Sequence, residues 1–187
     1  MSTLRRILPR LPLARLFSGT STPGRFKNAT VVGGGAFGTA LAQVLGRNGT
    51  PTTMWVREEE VAAEINGSHA NNRFLPGCPL SPLVTATTDF PASMTAKPEV
   101  IFLAVPTPAL RAFVSKNHRF LPIGTPLICC SKGIENDTLA NPFEILEQEL
   151  PGARSRRAVV IGVPLCKGSL SMIFANGTHA VGGASAV

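Results

Sequence analysis

The sequence predicts an α/β protein built on a doubly wound, mostly parallel sheet, and two observations carry that reading. Short β-branched apolar runs alternate with longer segments of helical period, the pattern of successive β-α-β units. The runs themselves, VIFLAV at 100–105 above all, show almost no polar alternation, as expected where helices cover both faces of a sheet. With 187 residues, 44% hydrophobic and 16% charged, the chain has the size and balance of one folded domain with its own core.

The first segment stands apart from that pattern. MSTLRRILPRLPLARLFSGTSTPG combines spaced arginines, leucines near helical spacing and hydroxyl residues with no acid, the properties of an organelle transit peptide. Arg15-Leu16-Phe17-Ser18 resembles a mitochondrial processing site, so residues 1–26 are expected to direct import, with the mitochondrion favoured over the plastid. The alternative is a disordered basic tail on a cytoplasmic protein. No uninterrupted apolar stretch of secretory type is present. The net charge of +7 belongs to this part of the chain: residues 1–57 hold eight basic side chains and no Asp or Glu, while the rest hold ten basic and eleven acidic ones. No basic stripe interleaved with aromatics is left over, which weakens any nucleic-acid reading, and no nucleic-acid partner is expected.

Residues 27–187 form the expected domain. Strands are predicted at 29–32, 52–56, 84–87, 100–105, 126–130, 158–161 and 178–181, and helices at 36–48, 58–66, 108–117, 139–150, with a short one near 170–175. Turn residues mark the loops NNRFLPGCPLSP, PIGTP and PGARSRR. The first of these, at 71–82, is long for a compact domain, and such loops often carry function. Cys78, Cys129, Cys130 and Cys166 form no C-x-x-C pair and His69, His118 and His179 are scattered, so no metal or redox motif is expected. The vicinal Cys129 and Cys130 read as buried strand thiols. The uncharged stretch 29–46 is not read as a membrane span, because three consecutive glycines, two threonines and a glutamine interrupt it.

Gly33, Gly35 and Gly38 directly follow the strand-like ATVV and open a helical run that ends at Gly49, the place of a C-terminal cap. In that context each glycine has its own physical role. Gly33 permits the tight turn, Gly35 lets backbone approach a pyrophosphate, and Gly38 lets the helix pack closely on its strand. A helix starting near Ala36 aims free amide groups and its positive end at an anion. The expected fold is therefore Rossmann-like with a dinucleotide at this turn; the alternative is a strand-to-helix turn whose glycines serve only packing. After the second strand such folds often place an acid for the ribose hydroxyls; TTMWVREEE has Arg57 there. Arg57 suits a 2′-phosphate or a stack on adenine, or is a surface arginine balanced by Glu58, Glu59 and Glu60, so NAD and NADP both remain open.

Taken together, GGGAFGTALAQVLGRNG, MWVRE, NNRFLPG, VIFLAVPTPALR, CCSKGIE and IGVPLCKGS resemble, in order and spacing, the N-terminal domain of NAD(P)-dependent glycerol-3-phosphate dehydrogenase. The resemblance implies reversible hydride transfer between the nicotinamide and dihydroxyacetone phosphate, giving sn-glycerol 3-phosphate. It implies a cofactor loop of Gly33, Gly35, Ala36, Phe37 and Gly38, Arg57 beside the adenosine, Phe74 near the adenine end, and Val105 and Pro106 along the dinucleotide. Lys132 would touch nicotinamide and substrate. Its chemistry supports that place: ketone reduction puts negative charge on oxygen, a nearby cation lowers the barrier, and Lys132 lies just past the carboxyl end of a predicted strand. An ordinary exposed lysine is the bland alternative.

Where the family usually reads S-G-P-S-F-A-K-E, this chain reads I-G-V-P-L-C-K-G. Gly162 and Lys167 match; Pro164 replaces a hydroxyl residue and Cys166 an alanine, which weakens substrate contacts at Gly162 and Pro164 and a cofactor contact at Cys166, since proline has neither hydroxyl nor N–H to donate. The family continues into a helical C-terminal domain that carries the general base and allows a homodimer; that domain is missing here, so this chain alone is expected to be incomplete for catalysis. The competing functions are a truncated noncatalytic NAD-binding module and another 6-phosphogluconate-type dehydrogenase, which would share the glycine loop and the V-P segment but not NNRFLPG or SKGIE.

Overall fold

The computed structural model describes residues 26–150, 158–162, 170–174 and 179–182. The predicted transit segment, apart from its last residue, and Pro164, Cys166 and Lys167 lie outside the described residues.

Among the described residues eight strands form one sheet: β1 (Ala29–Val32), β2 (Thr52–Trp55), β3 (Val84–Thr87), β4 (Val100–Leu103), β5 (Leu127–Cys129), β6 (Ala158–Gly162), β7 (Leu170–Phe174) and β8 (His179–Gly182). Their order is β3-β2-β1-β4-β5-β6-β7-β8. Pairing is parallel from β3 across to β6 and antiparallel beyond it. The chain winds outward through β1, β2 and β3, then returns to place β4 on the other side of β1. That reversal makes the crevice between β1 and β4 the switch point where open α/β sheets bind ligands. Register brings its rim level, since Val32 stands opposite both Trp55 and Leu103.

The absence of polar alternation is explained by two cores, one on each face. In β4, Ile101 and Leu103 enter the core shared with helices α3 (Phe90–Ser93), α4 (Thr107–Asn117) and α5 (Pro142–Glu149), through Phe90, Leu110, Val114, Ile145 and Leu146. Val100 and Phe102 enter the other, with Ala42 and Leu45 of α1 (Ala36–Arg47) and Val61 and Ile65 of α2 (Glu59–Ser68). A strand buried on both faces has no side left for polar residues.

Helix ends follow local chemistry. α1 stops where Gly49, at φ +78°, takes the left-handed position and donates to the Gly46 carbonyl while Thr50 donates to that of Leu45. On the open edge of the sheet, Asn66 of α2 imitates a neighbouring strand: its amide exchanges two 2.8 Å hydrogen bonds with the backbone of Ala86 in β3.

Three expectations need correction. The segment near 170–175 is strand β7, not a helix; five residues are too few to nucleate a helix, and β6 offers open backbone groups to pair with. The helix expected at 139–150 starts later, because Asn141 caps it with bonds from the amides of Phe143 and Glu144 while Glu144 reaches back to the Asn141 amide. Helix α3 is absent from the sequence-based expectation; Asp89 caps it by accepting from the Ala92 amide, with Pro91 in the first turn.

Candidate functional site

The three motif glycines do three different things. Gly33 has φ +122°, and an added Cβ would stand 2.5 Å from the Ala104 carbonyl oxygen, so the turn after β1 is pressed against the end of β4. A Cβ on Gly38 would fall 2.1 Å from the Gly33 carbonyl oxygen, which means that this glycine packs the helix against the turn itself and not only against a strand. Around Gly35 nothing among the described residues lies within 4 Å of that position. Its bareness therefore serves no contact with the described residues, and leaves backbone open to an incoming group. Gly34 is a third constrained position in the turn, with an added Cβ 2.7 Å from Val56 Cγ1.

Gly35 is the N-cap residue of α1; no side chain caps that end and no acid stands in its first turn. The free amides of the first turn and the positive end of the helix thus face outward, as an anion site requires. Phe37, in the same turn, is 53% exposed. The Lys132 ammonium lies 5.4 Å from the centre of its ring. A cation is in this way brought to the glycine turn across the switch-point crevice.

Lys132 is set by stitching between two loops. Cys130 N–H donates to the Leu103 carbonyl, the Ser131 hydroxyl to that of Val105, and the Thr107 hydroxyl to that of Lys132 itself, at 2.7 Å. Val105 is buried and Pro106 exposed at the N-terminus of α4. Farther along, Arg111 donates to both oxygens of Glu135 and to Glu149 at 2.7 Å, tying the segment after Lys132 to α4 and α5. Hydrogen bonds from Arg111, then from Thr138, hold the Glu135 carboxyl below its ordinary pKa. Burial pushes the Cys130 thiol up to about 12 and raises Cys129 as well, so both behave as packing thiols.

On the other side of β1, Arg57 follows β2 with its side chain 82% exposed and paired to Glu58 at 2.7 Å. That hydrogen bond is the main reason the Glu58 carboxyl sits below its ordinary pKa. Phe74 packs on the core of that face, with the Arg73 guanidinium 5.2 Å from its ring centre.

The structure thus brings Gly33, Gly35, Ala36, Phe37, Gly38, Val105, Pro106 and Lys132 to the carboxyl ends of β1, β4 and β5, with Arg57 at the carboxyl end of β2 and Phe74 in the long loop before β3. Gly162 closes β6, one strand beyond β5. Sequence reasoning missed Asn71, Thr39, Thr107, Ser131 and Arg111, which act through polar contacts between distant segments and leave no periodic signal. Among the described residues no cluster of His, Cys, Asp and Glu suits a metal, and no helix is long and apolar enough to cross a membrane.

Residues 28–174 match the family model for the NAD-dependent glycerol-3-phosphate dehydrogenase N-terminus. A glycerol-3-phosphate dehydrogenase (NAD(P)+) from Sphingopyxis alaskensis is 46% identical over 128 residues, 68% of this chain and 37% of the relative. The enzyme of that name from Desulfovibrio desulfuricans is 45% identical over 132 residues, 71% of this chain and 39% of the relative. Among solved structures, the glycerol-3-phosphate dehydrogenase of Saccharomyces cerevisiae superposes with a TM-score of 0.62 at 26% identity, over 72% of this chain and 41% of that one. That of Coxiella burnetii gives 0.62 at 24% identity, over 72% of this chain and 39% of the other, a likeness of fold.

Proposed function

The chain belongs to the NAD-dependent glycerol-3-phosphate dehydrogenase family, and from that membership we propose that residues 27–187 are its dinucleotide-binding domain, taking NAD or NADP at the glycine turn. The observation that carries this reading is the uncapped N-terminus of α1 with open space at Gly35 and the Lys132 ammonium beside it. Two negative phosphates fit a cradle of free amides with no acid in it. Phe37 offers an exposed ring next to that cradle.

Bound there, the nicotinamide supplies or accepts the hydride. The chain's own part is to hold the phosphates by the first-turn amides, to line the crevice with Val105 and Pro106, and to present the Lys132 ammonium where a ketone oxygen gains charge, which stabilises the developing alkoxide. The substrate pair is dihydroxyacetone phosphate and glycerol 3-phosphate, with Gly162 and Pro164 the further candidate contacts to substrate and Cys166 one to the cofactor. The chain spans about two fifths of the length of the relatives it matches, and turnover is proposed for a whole enzyme of that length. The two curated relatives above are both glycerol-3-phosphate dehydrogenases by name and do not favour the 6-phosphogluconate-type alternative.

Calorimetric titration of the chain with NADH and with NADPH is expected to give saturable binding; absence of binding for both would overturn the reading. Residues 1–26 are proposed to direct import. A fusion of residues 1–30 to a fluorescent protein is expected in mitochondria, and a diffuse cytosolic signal would reject that proposal.

A further inference from the structure

The loop that starts with NNRFLPG does more than present Phe74. Asn71 is fully buried. Its Nδ2 donates at 2.9 Å to the Gly34 carbonyl and at 2.8 Å to the Thr39 hydroxyl, which itself donates to the same carbonyl at 3.2 Å. The Gly34 oxygen is thereby gripped from two sides and held inward. In a trans peptide the carbonyl and the following N–H point in opposite directions, so holding the Gly34 carbonyl inward turns the Gly35 N–H away from Asn71 and Thr39.

The amide pays for this grip in its own hydrogen bonding. Both Nδ2 protons are used, while Asn71 Oδ1 is buried without a partner among the described residues. A stranded acceptor is costly, and the amide cannot be turned to relieve it, because the Gly34 carbonyl accepts and only a donor can face it. The loop that delivers Asn71 is anchored along its length. Glu64 of α2 accepts from the Asn72 amide and side chain, Gln43 of α1 bonds both the Pro79 carbonyl and the Ser81 amide at 2.6 Å, and Leu80 N–H donates to the His69 carbonyl.

We propose that Asn71 is a positioning residue of the dinucleotide site: through the Gly34 carbonyl, and with Thr39 as its partner, it aims the Gly35 amide at the phosphates. The inference rests on the dinucleotide reading above. It assigns to a neutral, buried side chain in a loop nearly 40 residues downstream the orientation of the group that meets the ligand.

Asn71→Asp is the informative substitution, because it keeps the shape and removes the donor. Ionised, the new carboxylate has no proton to give and faces the Gly34 oxygen; protonated, it can donate one hydrogen bond again. Fluorescence titration of the whole chain with NADH is expected to show binding about tenfold weaker than wild type at pH 8, with the gap closing as pH falls and the buried carboxyl takes up its proton. His69, two residues away with its Nδ1 buried, Glu64 and Arg73 also lie around this loop. Wild type titrated at the same pH values removes their contributions. Equal affinities at pH 8, or a gap that does not change with pH, would overturn the inference. If Asn71→Asp does not fold, Thr39→Val takes its place: NADH binding weakened about threefold or more supports the inference, and unchanged binding overturns it. A wild-type chain that binds neither NADH nor NADPH overturns the dinucleotide reading and the inference with it, whereas wild-type binding with unaffected variants overturns the inference alone.

Discussion

The two flanks of the crevice hold their loops by different physics. On the β1–β2 side the glycine turn is fixed by steric contact and neutral hydrogen bonds: Gly33 against Ala104, Gly38 against Gly33, and the Gly34 carbonyl in the grip of Asn71 and Thr39. On the β4–β5 side neutral hydrogen bonds set Lys132 itself, while the segment beyond it is fastened by charge, through Arg111 to Glu135 and Glu149. A phosphate cradle has to present backbone amides in one fixed arrangement, which close packing secures. The lysine loop has to carry a cation into an open crevice, and its anchor is partly exposed. The first flank should therefore respond to added atoms, and the second to protons and salt.

The largest effect is expected where an atom has no room at all. Gly38→Ala puts a methyl group 2.1 Å from a backbone oxygen that cannot swing away, and should lower stability by about 3 kcal/mol or more, read from urea unfolding. A variant as stable as wild type would mean that the turn is loose, and the contrast between flanks would fail. Gly35→Val is its counterpart. With nothing within 4 Å, the side chain should be accommodated with little change in stability, while NADH and NADPH affinity drops about a hundredfold or more as the side chain fills the phosphate approach. One glycine is needed for the fold and the other for the ligand, and the two assays should separate them.

The charged flank should separate from the first in acid. Arg111 holds the Glu135 carboxyl below its ordinary pKa, so this contribution is fully present above the unfolded value of about 4.3 and is lost as pH falls through the lower folded value. Hydrogen exchange followed from pH 6 to pH 3 should show the amides at 131–140 losing protection before those of β1 and α1. Arg111→Met should produce the same loosening at neutral pH with a modest fall in melting temperature, and added salt should weaken the wild-type clamp but not the glycine turn. Simultaneous loss of protection on both flanks would show them to be one cooperative unit.

How much of this was legible in the sequence follows the same division. Local patterns spoke clearly: the apolar runs gave the strands of the parallel sheet, and the glycine spacing between strand and helix located the turn. The mistakes were local too, since LSMIF has neither the length of a helix nor a clear alternation, and its state was decided by the edge of β6 waiting to be paired. What stayed hidden joins segments far apart in the chain. Nothing in NNRFLPG announces that its first asparagine reaches the Gly34 carbonyl, and nothing in PALR or SKGIE shows that Arg111 and Glu135 meet. Such pairs depend on the topology that brings α4 beside the β5 loop, which periodicity does not encode.

Arg57 tests the comparison from the other direction, because it is a charged residue on the flank held by packing. Its side chain is 82% exposed, and its ion pair joins neighbours in sequence, so it fastens no two distant segments. Arg57→Ala should change stability by no more than about 0.5 kcal/mol. The freed Glu58 carboxylate stands at the N-terminus of α2, where its charge is favoured by the helix dipole, which offsets part of what the pair contributed. Its carboxyl, now held low by the Arg57 hydrogen bond, should titrate closer to its ordinary value in the variant. If Arg57 serves the ligand instead, the loss should appear in binding: NADPH affinity should fall about fivefold while NADH affinity changes less, since only the former offers a 2′-phosphate to the guanidinium. Equal, small losses for both cofactors would leave Arg57 as a surface residue and move cofactor choice to Arg73 and Phe74 in the loop that Asn71 begins.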